Sequence, residues 1–383
     1  MSKTVKLGDI ATFVNGYPFK PTDWKKEGLP IIRIQDLTGN AYETNYFNGT
    51  VPAKYYIHNG DILISWSASL GIYEWQRGNA VLNQHIFKVV FNKLPIDKQY
   101  FRHIVGHKLN VMVALTHGAT MKHITKGDFD NIPIPLPPLA EQHRIAALLD
   151  KADALRQKDR QLLSHYDQLT QAIFLDMFGD PVRNEKGWKV DKLSKGAKLQ
   201  GGFAFKSSDY SNYGTKLVKI TNVHFEKLIW DDIDFIPENI AKAYPNFMLK
   251  SGDILMAMTR PIIKSLSSAK VVKVEHKDLP CILNQRVGRF IIDKTKLNTS
   301  FLLQLCFSEY FKNRVEECCA VALQPNISSK QIEDFLIYYP PLLLQQRFAE
   351  MAIQIEQQKL IAQQQMMNSE NLFQRLLQES FGE

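Results

Sequence analysis

The sequence predicts an α+β protein. Two similar β-rich globular domains are joined by two long helices forming an antiparallel coiled coil, which gives one chain an internal pseudo-twofold symmetry. Three observations predict this. The stretch IPIPLPPLAEQHRI (Ile132–Ile145) is answered by LIYYPPLLLQQRF (Leu336–Phe348), so Pro-Pro-Leu-x-x-Gln-x-Arg occurs twice. Other landmarks recur in the same order ahead of each junction. Each diproline then opens a Gln- and Leu-rich segment whose apolar residues step by three and four, the spacing of a helical seam.

The repeat runs the length of the chain, and such self-similarity decides the fold before any local reading does. Aligning Leu7 with Leu193 also aligns Gly16 with Gly202, Phe19 with Phe205, Lys20 with Lys206 and Asp23 with Asp209. The same register carries IIRIQDL (Ile31–Leu37) onto LVKITNV (Leu217–Val223). NGDILIS (Asn59–Ser65) then answers SGDILMA (Ser251–Ala257), and LNQH (Leu82–His85) answers LNQR (Leu283–Arg286). The offset grows from 186 (Leu7 to Leu193) through 192 (Asn59 to Ser251) and 201 (Leu82 to Leu283) to 203 (Pro137 to Pro340). It never shrinks, so the second copy carries insertions between fixed landmarks.

Within each copy, alternating β-branched and aromatic runs read as short strands bounded by Gly and Asn turns. Helices are predicted over Lys98–Val113 and Ser300–Glu317. Thr125-x-x-Asp128 and Ser328-x-x-Gln331 have the form of capping boxes. A last strand in each copy runs into the diproline, and Pro138 and Pro341 suit a helix's first turn. The first predicted seam is Ile145, Leu148, Ala152, Leu155, Leu162, Tyr166, Leu169 and Ile173. It stops at Gly179, suited to a helix C-terminus, with Pro181 beyond. The second seam is Phe348, Ala352, Ile355, Lys359, Ala362, Met366, Ser369, Phe373 and Leu376. At 1.5 Å per residue each helix would be about 55 Å long.

Composition narrows the function. The 383 residues are 45% apolar and 22% charged, with a net charge of +8. That balance is ordinary for a folded protein and compatible with a polyanionic partner. No apolar leader and no membrane-length apolar run occurs, so a cytoplasmic location with no membrane partner is expected. Cys281, Cys306, Cys318 and Cys319 have neither zinc-site nor disulfide spacing and read as reduced thiols. No phosphate-binding G-x-x-x-x-G-K-[ST] loop or G-x-G-x-x-G fingerprint appears. The Asn/Asp-Pro-Pro-Tyr/Phe element with which amino-methyltransferases hold a flipped adenine is absent. Asp180, Glu185 and Lys186 have the wrong spacing for a nuclease, and His117 and His123 have no counterpart in the second copy. A non-catalytic chain with no metal and no cofactor of its own is expected.

A pseudo-twofold protein with two related but non-identical heads suits a pseudo-twofold ligand, double-stranded DNA above all. Base-reading residues are expected in loops that start at matched strand ends and then differ. In the first copy these are Ser65, Trp66, Ser67, Ser69 and Arg77; in the second, Thr259, Arg260, Lys264 and Ser265. Gln84, His85, Gln285 and Arg286 are further candidates, although the shared Asn-Gln (Asn83, Asn284) favours a structural role for that pair. Met121 and Lys122 in one copy, and Gln324 and Asn326 in the other, extend the set. The matched pairs Lys20 with Lys206 and Arg33 with Lys219 complete it as cations; lysines of this kind contact phosphates.

The repeated GDIL and NQ[HR] elements and the pattern I-x-x-P-L-P-P-L-x-E-Q resemble the specificity subunits of type I restriction–modification systems, over essentially the whole chain. The resemblance implies two target recognition domains (1–138 and 181–341) alternating with conserved helices (139–180 and 342–383). It implies a non-catalytic subunit that reads a bipartite target, its helices setting the spacer. It further implies two methyltransferase subunits docked along the helices, carrying S-adenosylmethionine and methylating an adenine in each half-site. Two motor-nuclease subunits using ATP and Mg would complete the assembly. Glu141, Gln142, Arg144, Gln345 and Arg347 are the expected docking residues. Leu344 stands where the pattern has Glu141, so the two helices need not hold their partners equally. The alternatives are a recognition subunit of a fused methyltransferase–nuclease, or a scaffold whose tandem heads bind proteins rather than DNA.

Overall fold

Each half of the repeat closes on itself just before its diproline. Strand Lys3–Lys6 pairs antiparallel with Pro133–Leu136, and Lys189–Lys192 pairs with Leu336–Tyr339. Pro133 and Pro135 sit in the first of these two-stranded ribbons, where a missing N–H is tolerated. The computed structural model describes residues 3–40, 42–115, 125–263, 268–319 and 325–382. It divides into two compact units, 1–161 with 363–383 and 162–362, so each long helix contributes a stretch to both.

The first unit holds a four-stranded antiparallel sheet in the order Thr12–Asn15, Ile86–Val90, Ile62–Ser65, Gly71–Glu74. The second repeats it as Ala197–Gly201, Val287–Ile292, Ile254–Ala257, Val271–Lys273. The strand that follows each Gly-Asp is buried on both faces. Side chains alternate across a strand. Ile62 and Ile64 therefore face the core under the helix Lys98–Leu115, while Leu63 joins Ile32 and Leu82 in a second layer. Ile254 and Met256 divide from Leu255 and Ala257 in the same way. That second layer contains a parallel pair in each unit, Leu29–Ile32 with Ala80–Leu82 and Thr215–Val218 with Cys281–Leu283. Ile72 lies eight positions after its partner Ile64, and Val271 fifteen positions after Met256. Seven of the 17 positions by which the repeat offset grows (203 − 186) therefore lie in one longer loop, built on the hairpin Ile262–Ile263 with Ser268–Ala269.

The predicted helix over Ser300–Glu317 is two helices, Thr299–Phe307 and Glu309–Cys319, broken at Ser308, whose hydroxyl donates to the Leu305 carbonyl. Both caps form. The Thr125 hydroxyl accepts from the Asp128 N–H, and Ser328 and Gln331 cap reciprocally.

The long helices run from Leu139 to Phe178 and from Leu342 to Phe381, 40 residues each. Gly179 ends the first at φ 78°, its N–H bonded to the Leu175 carbonyl. In the first unit Ile145, Leu149 and Ala152 share a core with Phe373, Leu377 and Phe381. Arg156 closes that stretch: it pairs with Glu370 at 3.0 Å and Asp153 at 2.6 Å, and lies 4.2 Å from the Phe373 ring centre. In the second unit Asp167 meets Lys359, while Phe174 and Phe178 each pack 5.5 Å from Phe348. Numbering rises on one helix as it falls on the other, so the helices are antiparallel within each unit.

The second predicted seam is buried or partly buried throughout. The first needs correction. Ile145, Ala152, Tyr166 and Ile173 turn inward, but Leu148, Leu155, Leu162 and Leu169 are exposed, at 36% or more. Leu149, Arg156, Leu163 and Thr170, one residue later in each case, take the inner positions. Both choices satisfy steps of three and four, and only the facing helix decides between them.

Candidate nucleic-acid interface

The repeated landmarks prove to be scaffold. Gly60 and Gly252 adopt φ 87° and 92°, a left-handed turn that favours glycine. The following Asp closes that turn: the Asp61 carboxylate accepts from the His58 N–H at 2.8 Å, and Asp253 accepts from Lys250 at 2.9 Å. Each Asp then pairs with a cation on the neighbouring strand, Lys88 at 2.8 Å or Arg289 at 3.2 Å. Those cations also donate to matched carbonyls, of Tyr56 and Met248. A Cβ on Gly16 would lie 1.9 Å from the Asn83 carbonyl oxygen, and one on Gly202 would lie 2.2 Å from that of Asn284. Asn83 and Asn284 each accept from the next residue's N–H at 2.9 Å. Their shared role is structural, as expected, and it leaves the residues after them at the loop tip.

Against this frame the loops diverge. In the first unit Trp66 N–H donates to the His85 carbonyl; the indole N–H reaches Asn15 at 3.3 Å, and the ring packs on His85 and Phe87. Trp66 thereby ties its loop to the loop of Gln84 and His85, both partly buried. Gln84 N–H donates to Tyr17, which brings the segment before Lys20 alongside. In the second unit Met258 N–H donates to the Arg286 carbonyl at the matched place. Arg260 N–H then donates to Pro325, Ile327 N–H to Met258, and Thr259 bridges Asn326. Thr259, Arg260, Gln285, Arg286 and Asn326 thus come from three chain segments to one loop cluster. Arg260, Gln285, Arg286 and Asn326 are exposed. Thr259 is partly buried, its hydroxyl unpaired.

Several candidates are removed by their surroundings. Ser65 is fully buried, its hydroxyl donating to the Ser69 carbonyl, and Ser67 is also buried; both shape the loop and present nothing to DNA. Arg33 is turned inward onto Asp36 and the Glu43 carbonyl, with Trp24 beneath it. Lys219 is neutralised by Asp232 at 3.0 Å and Asp234 at 2.7 Å. Ser69 and Arg77 stay exposed, Arg77 over the Trp75 ring. Lys20 and Lys206 are exposed, and their backbone N–H groups cap matched turns through Asp23 and Asp209 at 2.8 Å. Met121, Lys122, Lys264, Ser265 and Gln324 lie outside the described residues.

The Gln of each diproline junction is also overturned as a docking residue. Gln142 is 1% exposed and Gln345 0%. The side-chain oxygen of Gln142 accepts from the Asp97 N–H, and its amide donates to the Pro137 carbonyl, both at 2.8 Å. Gln345 makes the same two bonds, to the Asn298 N–H and the Pro340 carbonyl, at the same distances. Each Gln latches its long helix to the helix starting near residue 98 or 299, and is too buried to meet a partner. Glu141 and Arg144 form an outward bidentate pair at 2.7 and 2.8 Å, and Arg347 is exposed.

Sequence reading missed Lys270 at the base of the longer loop. It is partly buried; burial and the Arg260 guanidinium hold its ammonium below the usual lysine range. No local motif marks it, because Arg260 reaches it only once the hairpin folds.

A model of the type I restriction modification DNA specificity domain matches residues 2–164 and again 185–366. The chain is 30% identical over 362 residues to the type I restriction enzyme MjaVIII specificity subunit of Methanocaldococcus jannaschii, covering 91% of this chain and 84% of that protein. It is 23% identical to the EcoKI specificity subunit of Escherichia coli, covering 92% and 80%. The fold matches the S subunit of a type I restriction–modification system from M. genitalium with a TM-score of 0.60 at 14% identity, over 100% of this chain and 96% of that one. With the specificity domain present twice along nearly its whole length, this chain belongs to the family of type I restriction–modification specificity subunits.

Proposed function

We propose that each unit reads one half of a bipartite DNA target and that the long helices fix the unread spacer between the halves. One observation carries this reading: a specificity domain present twice on a repeated scaffold, whose copies differ in the loops at matched strand ends. Base reading is assigned to Ser69, Gln84 and His85 in the first unit, and to Gln285, Arg286 and Asn326 in the second. Gln or Asn pairs well with adenine and Arg with guanine in the major groove. Lys20 and Lys206 are assigned to phosphates.

The chain itself is proposed to be non-catalytic. Two methyltransferase subunits bringing S-adenosylmethionine would dock along the helices, and motor-nuclease subunits using ATP and Mg would join them. Exposed apolar residues at seven-residue spacing support the docking: Leu148, Leu155, Leu162 and Leu169 on one helix, Ile353, Leu360 and Met367 on the other. Exposed apolar stripes of this kind mark interaction surfaces. Glu141, Arg144 and Arg347 would flank them. No helix among the described residues is long and apolar enough to cross a membrane.

The test is to co-express the chain with its methyltransferase and map methylated adenines across the host genome. The expected result is a split motif, two short specified halves around a fixed spacer. An active methyltransferase that leaves no chain-dependent motif would overturn the reading.

A further inference from the structure

The longer loop of the second unit changes the electrostatics of that head. Lys270 sits at its base, its N–H donating to Pro261 and its carbonyl accepting from Ala257. Arg260 lies across the loop, held at φ 48° with its N–H on Pro325. A turn from His224 to Lys227 leans on the same strand: His224 N–H donates to the Lys227 carbonyl, and Glu226 N–H donates to Val271, the residue after Lys270. Cations are thus gathered from two segments. Burial, then Lys270 and Lys227, push the His224 imidazole down, against the pull of Asp231. The nearby Glu226 carboxylate is under the influence of Lys359, Asp167 and Glu356 instead. A partly desolvated lysine beside another cation is an unfavourable arrangement on its own. Such groups gather where a ligand of opposite charge is expected.

Among the described residues, the matched loop of the first unit has nothing equivalent. That loop, Trp66–Leu70, carries no charge, and by strand register Gly71 stands where Lys270 does.

We propose that Lys270 and Arg260, with His224 and Lys227 beside them, grip a DNA backbone phosphate, a contact that the matched loop Trp66–Leu70 of the first head, without a cation, does not make. The inference rests on the DNA reading above and adds residues and a ligand group to it. Phosphate contacts supply sequence-independent affinity that falls with salt, by about 0.9 in the slope of log K against log salt for each contact.

The experiment uses the complex of this chain with its methyltransferase subunits. Binding is measured from about 50 to 200 mM salt on a duplex carrying the mapped target and on a scrambled duplex. Lys270→Gln and Arg260→Gln should each flatten the slope by about 0.9, to the same extent on both duplexes, with the melting temperature unchanged. Lys270→Arg should keep the wild-type slope. Unchanged slopes in both Gln variants would overturn the proposal. So would a loss confined to the target duplex, which would mean base reading. A wild-type complex that cannot tell the two duplexes apart would instead overturn the specificity reading.

Discussion

Gln142→Leu separates a latch from a docking contact. The side chain satisfies two backbone groups, the Asp97 N–H and the Pro137 carbonyl, both at 2.8 Å, from a position that is 1% exposed. Leucine has a similar volume, so the cavity cost is small, but both backbone groups lose their partner. Leaving a buried polar group unpaired costs about 1–3 kcal/mol. Asp97 and Pro137 lie near the surface, and water recovers part of this, so about 2–4 kcal/mol is expected for the pair. In a unit of this size 1 kcal/mol moves the melting temperature by about 2–4 °C, so a fall of roughly 5–12 °C should appear. The assay is thermal and urea unfolding of the chain beside Arg144→Ala, with methyltransferase binding measured below the transition. Gln142→Leu should lower stability and leave the folded fraction's partner affinity nearly intact. Arg144→Ala should do the reverse. A Gln142→Leu chain that unfolds like wild type yet loses its methyltransferase would refute the latch. Gln345→Leu, with the same two bonds, should act alike in the second unit.

Gly202→Ala should destabilise the second unit by more than about 2 kcal/mol, because the new methyl meets the Asn284 carbonyl at 2.2 Å; thermal unfolding checks this, and Gly16→Ala is its counterpart in the first. Replacing Arg286 by His and His85 by Arg should change one methylated half-motif each and leave the spacer untouched, read by adenine mapping. His103 is buried, and burial holds its imidazole below the usual histidine range despite the Asp150 bond. The unfolded chain therefore binds a proton that the folded one resists. Stability of the first unit should fall as pH drops below about 6.5, and His103→Gln should flatten that fall in urea midpoints taken at neutral and acid pH.

How much of this was legible follows from what each residue is constrained by. Gly60, Gly252, Gly16 and Gly202 are dictated by backbone geometry, so their spacing exposed the repeat directly. Leu148 and Leu149, or Leu162 and Leu163, fit one helical period equally well, and apolar pattern alone cannot choose between them. Leu155 lost its place to Arg156, which is inside only because Glu370, 214 residues away, receives it. Lys219 reads as a free cation until Asp232 and Asp234 fold back on it. Ser65 is consumed by its own loop, and Gln142 by Asp97. Local backbone demands are written in the sequence; partners brought together by tertiary folding are not.

The division of labour between landmarks and loops has an energetic basis. Gly60, Asp61 and Lys88 in one unit, like Gly252, Asp253 and Arg289 in the other, satisfy one another and the backbone before any loop tip is reached. A loop can then lengthen by seven residues between Met256 and Val271, or gain Arg260 and Lys270, without disturbing the strand register that aims it. Effects at sites that share no partners add. Changes in one head should leave the reading of the other intact, because the two loop clusters draw on separate cores. That independence is what two diverged copies on one repeated frame supply, and a head with a single shared core would not.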